Sequence, residues 1–123
     1  MADENLAIFT GLHVIGQFSQ CTQETLENEG AFTVLIQELI TEHELKSLGS
    51  VSHSFEPDGG FTSVVCLSES HISVHTWPEL QYATLDVFLC NYSRNNDERC
   101  RQIFKSIADY FAPTKVTSQE IKR

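Results

Sequence analysis

The sequence predicts an α+β two-layer sandwich, in which an antiparallel sheet carries two helices on one face. Two observations support this fold class. Two segments with apolar residues at helical spacing are separated by several segments of alternating or β-branched residues, and the first and last segments both have strand character. At 123 residues the chain is long enough to form one domain with its own core, spanning residues 1–123.

The first half of the chain is predicted to contain a strand, a helix and a second strand. Residues 7–19 are rich in β-branched and aromatic side chains, which favour a strand. A helix is expected within residues 23–43, with Thr22 as its N-cap, and Gly30 marks a point where this helix begins or breaks. A short alternating strand follows, with one face formed by Val51, His53 and Phe55.

Three further strands are predicted in the centre of the chain. Residues 61–67 follow a turn, and Val64, Val65, Cys66 and Leu67 make this strand apolar enough to be covered on both sides of a sheet. Residues 71–76 form the next strand, and Pro78 prevents its continuation because proline lacks the backbone N–H that a central strand needs. Residues 83–90 alternate between polar and apolar side chains and form the third strand.

A second helix and a final strand complete the predicted fold. The helix begins at Asn95 or Asn96, because two acidic residues follow in its first turn and an apolar stripe continues at helical spacing. Pro113 ends the helix. Residues 115–121 have strand character.

The composition argues against several classes of partner. Eight Lys and Arg against 17 Asp and Glu give a net charge of −9, which repels nucleic acid and anionic membrane surfaces and attracts a cationic small substrate. No apolar run is long enough to span a bilayer and no signal peptide is recognisable, so a cytoplasmic protein is expected. The four cysteines form no C-x-x-C pair, so free thiols are expected and a zinc knuckle is not.

Residues 67–79 read Leu-Ser-Glu-Ser-His-Ile-Ser-Val-His-Thr-Trp-Pro-Glu, which is a better pattern for a site than for a core. Ser70 and His75 resemble a nucleophilic hydroxyl and its base, although such a pair is far more often a polar turn followed by a half-exposed strand. Strand periodicity points them to opposite faces, so their cooperation requires a turn or bulge at Ser70. There is no G-x-S-x-G elbow of an α/β-hydrolase. His71 and His75 lack further ligands, so no metal site is expected.

The segment from Glu69 to Glu79, with Tyr-Ala-Thr-Leu-Asp-Val-Phe-Leu-Cys at 82–90, closely resembles the pyruvoyl-dependent S-adenosylmethionine decarboxylases of the short prokaryotic type. His13 and residues 53–59 also match. The resemblance implies a self-cleaving proenzyme, in which the Ser70 hydroxyl attacks the Glu69 carbonyl. Elimination from the resulting ester then cuts the chain between residues 69 and 70. A pyruvoyl group formed from Ser70 would be the cofactor.

The resemblance also implies roles for residues outside the cut. His75 would assist proton abstraction during elimination, and an upstream hydroxyl would support processing. Thr62 aligns best with that hydroxyl, although Ser63 lies beside it and an additional glycine leaves the register open. Cys90 would be the general acid that protonates the substrate after decarboxylation, and such a thiol should be partly accessible.

Two further positions match the family's substrate-binding residues. Glu79 would bind the ribose hydroxyls of the substrate, and Phe55 would stack on its adenine. A purely structural role is the alternative for both residues. For Phe55 the reason is that an aromatic residue in a strand more often belongs to a core. The chain departs from the family pattern at three places, all of which concern the substrate pocket more than the cleavage: Gln17, Leu80-Gln81 and Asn91.

The resemblance therefore predicts a decarboxylase of S-adenosylmethionine that provides the aminopropyl donor for spermidine synthesis. A homodimer of processed protomers, with its active sites near the interface, is also implied. Two alternatives stay open. One is a pyruvoyl-dependent arginine or ornithine decarboxylase with the same fold, and the other is a non-catalytic homologue that binds a ligand or a partner subunit.

Overall fold

The computed structural model describes residues 10–92 and 94–123, and its strands form one antiparallel sheet. The strand order is β2-β3-β4-β5-β1-β6, and the six strands are β1 (Leu12–Ser19), β2 (Ser47–Ser54), β3 (Phe61–Leu67), β4 (Ser70–Trp77), β5 (Tyr82–Leu89) and β6 (Lys115–Lys122). Residues 7–9 of the predicted first strand lie outside the described residues. The predicted α+β sandwich is confirmed.

The helices are α1 (Gln23–Glu27), α2 (Glu29–Glu42) and α3 (Asp97–Phe111), with a short 3₁₀ helix at Pro78–Leu80. The first predicted helix is broken at Asn28, two residues before Gly30, because Asn28 leaves the helical conformation. Its side chain then caps α2 by accepting a hydrogen bond of 2.9 Å from the Ala31 N–H. The second helix begins after Asn96, as predicted.

One core lies between the sheet and the helices. Alternate residues of the central strands point into it, among them Phe18 and Leu85, and they meet the apolar stripe of α3 around Ile103. Phe18 packs on Phe104 and Phe111 of that helix, with ring centroids 5.6 Å and 6.2 Å apart. These contacts fix α3 against β1 and β5, and therefore fix the start of α3 beside the end of β5.

The face of the sheet opposite the helices, here called the open face, is not covered by another layer of the residues that the structure describes. Its residues alternate with the core residues along each strand, and include Thr62, Val64, Cys66, His71, His75, Asp86 and Phe88. Val64 is 38% exposed and Cys66 is exposed, while Val65 and Leu67 are buried. The prediction that residues 61–67 are covered on both sides is therefore wrong for a single chain, because helices cover only one face.

The predicted site residues lie at the two opposite ends of the strands. The Ser70 end is where β3 ends, β4 begins and β5 ends, and it contains the turn before Ser70 together with Cys90. The His75 end is where β3 begins and β4 ends, and it contains Thr62 and His75. The length of the strands separates these two ends.

Candidate active site

Ser70 follows a tight turn between β3 and β4, formed by Ser68 and Glu69. It is the first residue of β4, where it pairs with Leu67 on one side and Leu89 on the other. Its φ angle of 143° lies in a region that residues with a Cβ rarely adopt, so the backbone is strained beside the Glu69–Ser70 bond. The turn that the sequence required at this bond is confirmed.

The carbonyl of Glu69 is held by the neighbouring strand. The Cys90 N–H donates a hydrogen bond of 2.8 Å to the Glu69 carbonyl oxygen, which extends the β4–β5 pairing by one step beyond Leu89. A donor at this position polarises the carbonyl and would stabilise negative charge that develops on its oxygen. A hydrogen-bond donor is therefore in place at the carbonyl of the bond where the resemblance puts the cut.

Cys90 differs from the two cysteines of the core. Its side chain is partly buried, as expected of a thiol that exchanges a proton. Cys21 and Cys100 are buried, and this burial raises the pKa of each thiol to about 11. All four cysteines lie within the described residues and are free thiols, Cys66 being exposed on the open face.

The Glu69 carboxylate is bound by two residues of the loop before α3. The Arg94 guanidinium donates to it at 3.2 Å and 3.4 Å, and the Asn96 amide donates at 2.5 Å. Sequence reasoning missed both residues. They follow Glu69 by 25 and 27 positions, and no local pattern connects the loop to the turn.

Thr62 and His75 form the polar pair of the His75 end. They are cross-strand partners, and the Thr62 hydroxyl lies 2.5 Å from His75 Nδ1. Ser63 points instead to the helix layer, is 4% exposed and accepts a hydrogen bond of 3.0 Å from the Ser52 hydroxyl. Thr62 shares a face with His75 and Ser63 does not, so the geometry favours Thr62 as the upstream hydroxyl.

Aromatic side chains surround the His75 end. Trp77 lies beside His75 and contacts Tyr82, with ring centroids 6.3 Å and 5.5 Å away. Phe55 is 53% exposed and packs edge-on against His53, so it is not a core residue. Exposed aromatic side chains at this end of the strands can stack on a planar ligand.

Glu79 belongs to the 3₁₀ helix that follows β4, and its side chain is exposed. Pro78, its predecessor, ends the strand as the sequence predicted and is the buried first residue of this helix. This places the Glu79 carboxylate near the same edge as His75, and leaves it accessible to a ligand.

The chain does not bring Ser70 and His75 together. Five strand residues at about 3.4 Å each separate their Cα atoms by roughly 17 Å, far beyond proton-transfer distance. The turn before Ser70 does not bridge this gap. The predicted site residues thus form two groups, with Glu69, Ser70 and Cys90 at one end and Thr62, His75, Glu79 and Phe55 at the other.

Within the described residues, no group of three or more His, Cys, Asp and Glu side chains could hold a metal ion. None of the helices in the same part of the chain is long and apolar enough to cross a membrane. His13 and His71 do approach each other on the open face, with ring centroids 5.9 Å apart. Burial lowers the pKa of His13, which opposes its protonation in this position.

The family model, the curated relatives and the solved structure that match this chain all carry the same enzyme name. A family model described as S-adenosylmethionine decarboxylase matches residues 12–123. An S-adenosylmethionine decarboxylase proenzyme from Methanococcus aeolicus is 32% identical over 92% of both chains, and one from Caldicellulosiruptor saccharolyticus is 35% identical over 92% of this chain and 87% of its own length. The crystal structure of the adenosylmethionine decarboxylase from Aquifex aeolicus superposes with a TM-score of 0.82 at 27% identity, covering 94% of this chain and 91% of that one.

Proposed function

Because this chain belongs to the S-adenosylmethionine decarboxylase family, we propose that it cleaves itself between Glu69 and Ser70 and then removes carbon dioxide from S-adenosylmethionine. The observation that carries the proposal is the arrangement of the Ser70 end. A strained serine follows the peptide bond to be cut, and the amide of Cys90 binds the carbonyl of that bond at 2.8 Å. The product would supply aminopropyl groups for spermidine synthesis.

Self-cleavage uses groups of the chain alone. The Ser70 hydroxyl attacks the Glu69 carbonyl carbon while the Cys90 N–H stabilises the oxyanion, and the C–N bond breaks to leave an ester and a free amine. A base then removes the α-proton of residue 70, and the ester leaves as the Glu69 carboxylate. Addition of water and loss of ammonia convert the resulting dehydroalanine to a pyruvoyl group. Strain at Ser70 favours the first step because cleavage releases it.

The residues around position 70 fit a pyruvoyl group. Ser70 provides its atoms, and the partly buried Cys90 follows on the adjacent strand. Once formed, the group provides an electrophilic ketone that accepts the electrons released when carbon dioxide leaves. The Cys90 thiol then donates the proton that replaces the departing carboxylate on the substrate.

The His75 end supplies base and binding groups. His75 Nδ1–H donates to the Thr62 hydroxyl oxygen in the tautomer that processing requires, and this leaves Nε2 unprotonated to take the α-proton. Glu79 binds the ribose hydroxyls, and the exposed Phe55 ring stacks on adenine. The net charge of −9 favours approach of the sulfonium cation of the substrate.

A homodimer brings these two ends together. Within the described residues no layer covers the open face, where Val64 and Cys66 are exposed, and the site residues lie at opposite ends of its strands. A second copy packed face to face, about a two-fold axis that runs across the strands, places the Ser70 end of each chain against the His75 end of the other. Two equivalent sites result, each formed by both chains.

Intact mass of the purified protein tests the cleavage. We expect two fragments that meet between residues 69 and 70, the second lighter by one ammonia than a chain that begins with Ser70. One uncleaved chain after long incubation would contradict an enzymatic role and favour a non-catalytic homologue.

Release of carbon dioxide from S-adenosylmethionine, arginine and ornithine, measured side by side, tests the substrate. We expect activity on S-adenosylmethionine. Activity on arginine or ornithine alone would contradict this assignment while leaving the cleavage mechanism intact.

A further inference from the structure

Asn96 occupies an unusual position for a residue that precedes a helix. It is the N-cap residue of α3, where an Asn side chain ordinarily accepts a hydrogen bond from the first turn, yet its side chain makes no such bond. The Asn96 amide points instead toward the turn before Ser70 and is 0% exposed. The Asn96 side chain therefore does not cap the helix, and its buried amide binds other groups.

The Asn96 amide donates hydrogen bonds to two acceptors near the bond to be cut. Asn96 Nδ2 donates to the Glu69 carboxylate at 2.5 Å and to the Cys90 carbonyl oxygen at 2.8 Å, which uses both of its N–H groups. Since both neighbours are acceptors, the amide nitrogen must face them and its oxygen must face away. The oxygen accordingly accepts a hydrogen bond from Arg99 at 3.4 Å.

Arg94 completes the binding of Glu69 from the other side. Besides its contacts to the carboxylate, its guanidinium donates to the carbonyl oxygens of His43 and Glu44, at the end of α2. Arg94 thus connects the side chain of Glu69 to a fixed element of the helix layer. Asn96 connects the same side chain to the backbone of Cys90.

We propose that Asn96, assisted by Arg94, is a positioning residue for self-cleavage. It fixes the Glu69 side chain and the Cys90 backbone as one unit, so that the Cys90 N–H stays directed at the Glu69 carbonyl oxygen. The proposal rests on the proposed function, because it concerns the rate at which the Glu69–Ser70 bond is cut. Neither Asn96 nor Arg94 touches the reacting hydroxyl.

The neighbouring asparagine provides a matched control. Asn95 is exposed, and its side-chain oxygen accepts a hydrogen bond of 2.9 Å from the Asp97 N–H, which an aspartate can also do. Asn95→Asp and Asn96→Asp therefore make the same chemical change at adjacent positions. If Asn96 served only the helix, both changes would be tolerated, because Asp is as good an N-cap residue as Asn.

The experiment measures the rate of conversion of full-length chain to two fragments, in wild type and in four variants: Asn95→Asp, Asn96→Asp, Glu69→Gln and the double variant Glu69→Gln/Asn96→Asp. We expect Asn95→Asp to cleave like wild type. Asn96→Asp should cleave at least about tenfold more slowly, because it loses donors to a charged group and sets two carboxylates against each other.

The double variant separates positioning from folding. Glu69→Gln removes the repulsion and restores a hydrogen bond in the reverse direction, so the double variant should cleave faster than Asn96→Asp alone. Cleavage of Asn96→Asp at the wild-type rate, or a double variant no faster than Asn96→Asp, overturns the proposal.

If Asn96→Asp fails to fold by circular dichroism, Glu69→Gln alone decides. It keeps Asn96 but removes the charge that Asn96 and Arg94 bind, so it should cleave measurably more slowly than wild type. Cleavage at the wild-type rate would overturn the proposal. Failure of wild type itself to cleave would instead contradict the proposed function.

Discussion

The two ends of the sheet are built in different ways. At the Ser70 end, the scissile bond is held by backbone pairing, by a buried amide and by an arginine that reaches from the helix layer. At the His75 end, the side chains are largely exposed and the main polar contact joins Thr62 to His75. Under the proposed function, the chain prepares its own bond for cleavage and presents its base and its binding groups to a second chain.

The strongest test of the Ser70 end removes the nucleophile. Ser70→Ala should leave an uncleaved chain without decarboxylase activity, because no hydroxyl remains to attack Glu69 and no pyruvoyl group can form. Electrophoresis of the purified variant after long incubation checks this. Normal cleavage in Ser70→Ala would show that the cut does not depend on this hydroxyl.

In the proposed function, Cys90 contributes its backbone N–H to cleavage and its thiol to decarboxylation, and one substitution separates the two. Cys90→Ala keeps the backbone N–H that binds the Glu69 carbonyl, so cleavage should proceed at nearly the wild-type rate. Loss of the thiol should lower kcat by about 100-fold or more, the usual effect of removing a general acid. Parallel assays of cleavage and of carbon dioxide release check this split, and a variant that fails to cleave would contradict it.

The His75 end can be tested with adjacent hydroxyls. Thr62→Val keeps the shape of the side chain but removes the group beside His75, and it should slow cleavage about tenfold by loss of one hydrogen bond to the base. Ser63→Ala is the matched control, because that hydroxyl faces the helix layer. Time courses of cleavage for both variants decide, and equal rates would remove Thr62 from the mechanism.

The smallest expected effect is on the free energy of unfolding, and it concerns Asp97 at the start of α3, beside the Ser70 end. Asp97 begins α3, and its pKa is lowered mainly by hydrogen bonds from Lys122 and Asn91. A lowered folded-state pKa stabilises the protein above the unfolded pKa of about 3.9, and the effect is lost as the pH falls further. Asp97→Asn should therefore lower the free energy of unfolding at pH 7 by less than about 1 kcal/mol, since water screens this pair.

Urea unfolding at pH 7 and at pH 3 checks this prediction. The difference between wild type and Asp97→Asn should shrink at pH 3, because Asp97 is then protonated in the unfolded chain and the stability that comes from its lowered pKa is being lost. A difference that grows with acidity would contradict the sign of the pKa shift.

Sequence patterns predicted the strands, the second helix and the turn before Ser70, because these depend on local periodicity and on turn residues. They could not predict the break at Asn28, which depends on a side-chain cap rather than on Gly30. They also missed Arg94 and Asn96, whose contacts with Glu69 exist only after the sheet brings distant segments together. The apolar character of residues 61–67 was read as two-sided burial, which one chain does not provide.

Asn91 illustrates the same limit. From the resemblance alone, this residue was expected to affect the substrate pocket. In the structure its amide donates to the Thr10 carbonyl oxygen and to Asp97, and its oxygen accepts from the Asn96 N–H. Its hydrogen bonds thus organise the loop before α3.

The central claim is that each active site combines the Ser70 end of one chain with the His75 end of another. Co-expression of Ser70→Ala with His75→Ala, carried on differently sized tags, tests it directly. One of the two sites in the mixed dimer then contains both Ser70 and His75, so the His75→Ala chain should be cleaved when paired, although it cleaves poorly alone. If the His75→Ala chain stays uncleaved in isolated mixed dimers, the two ends do not form a shared site.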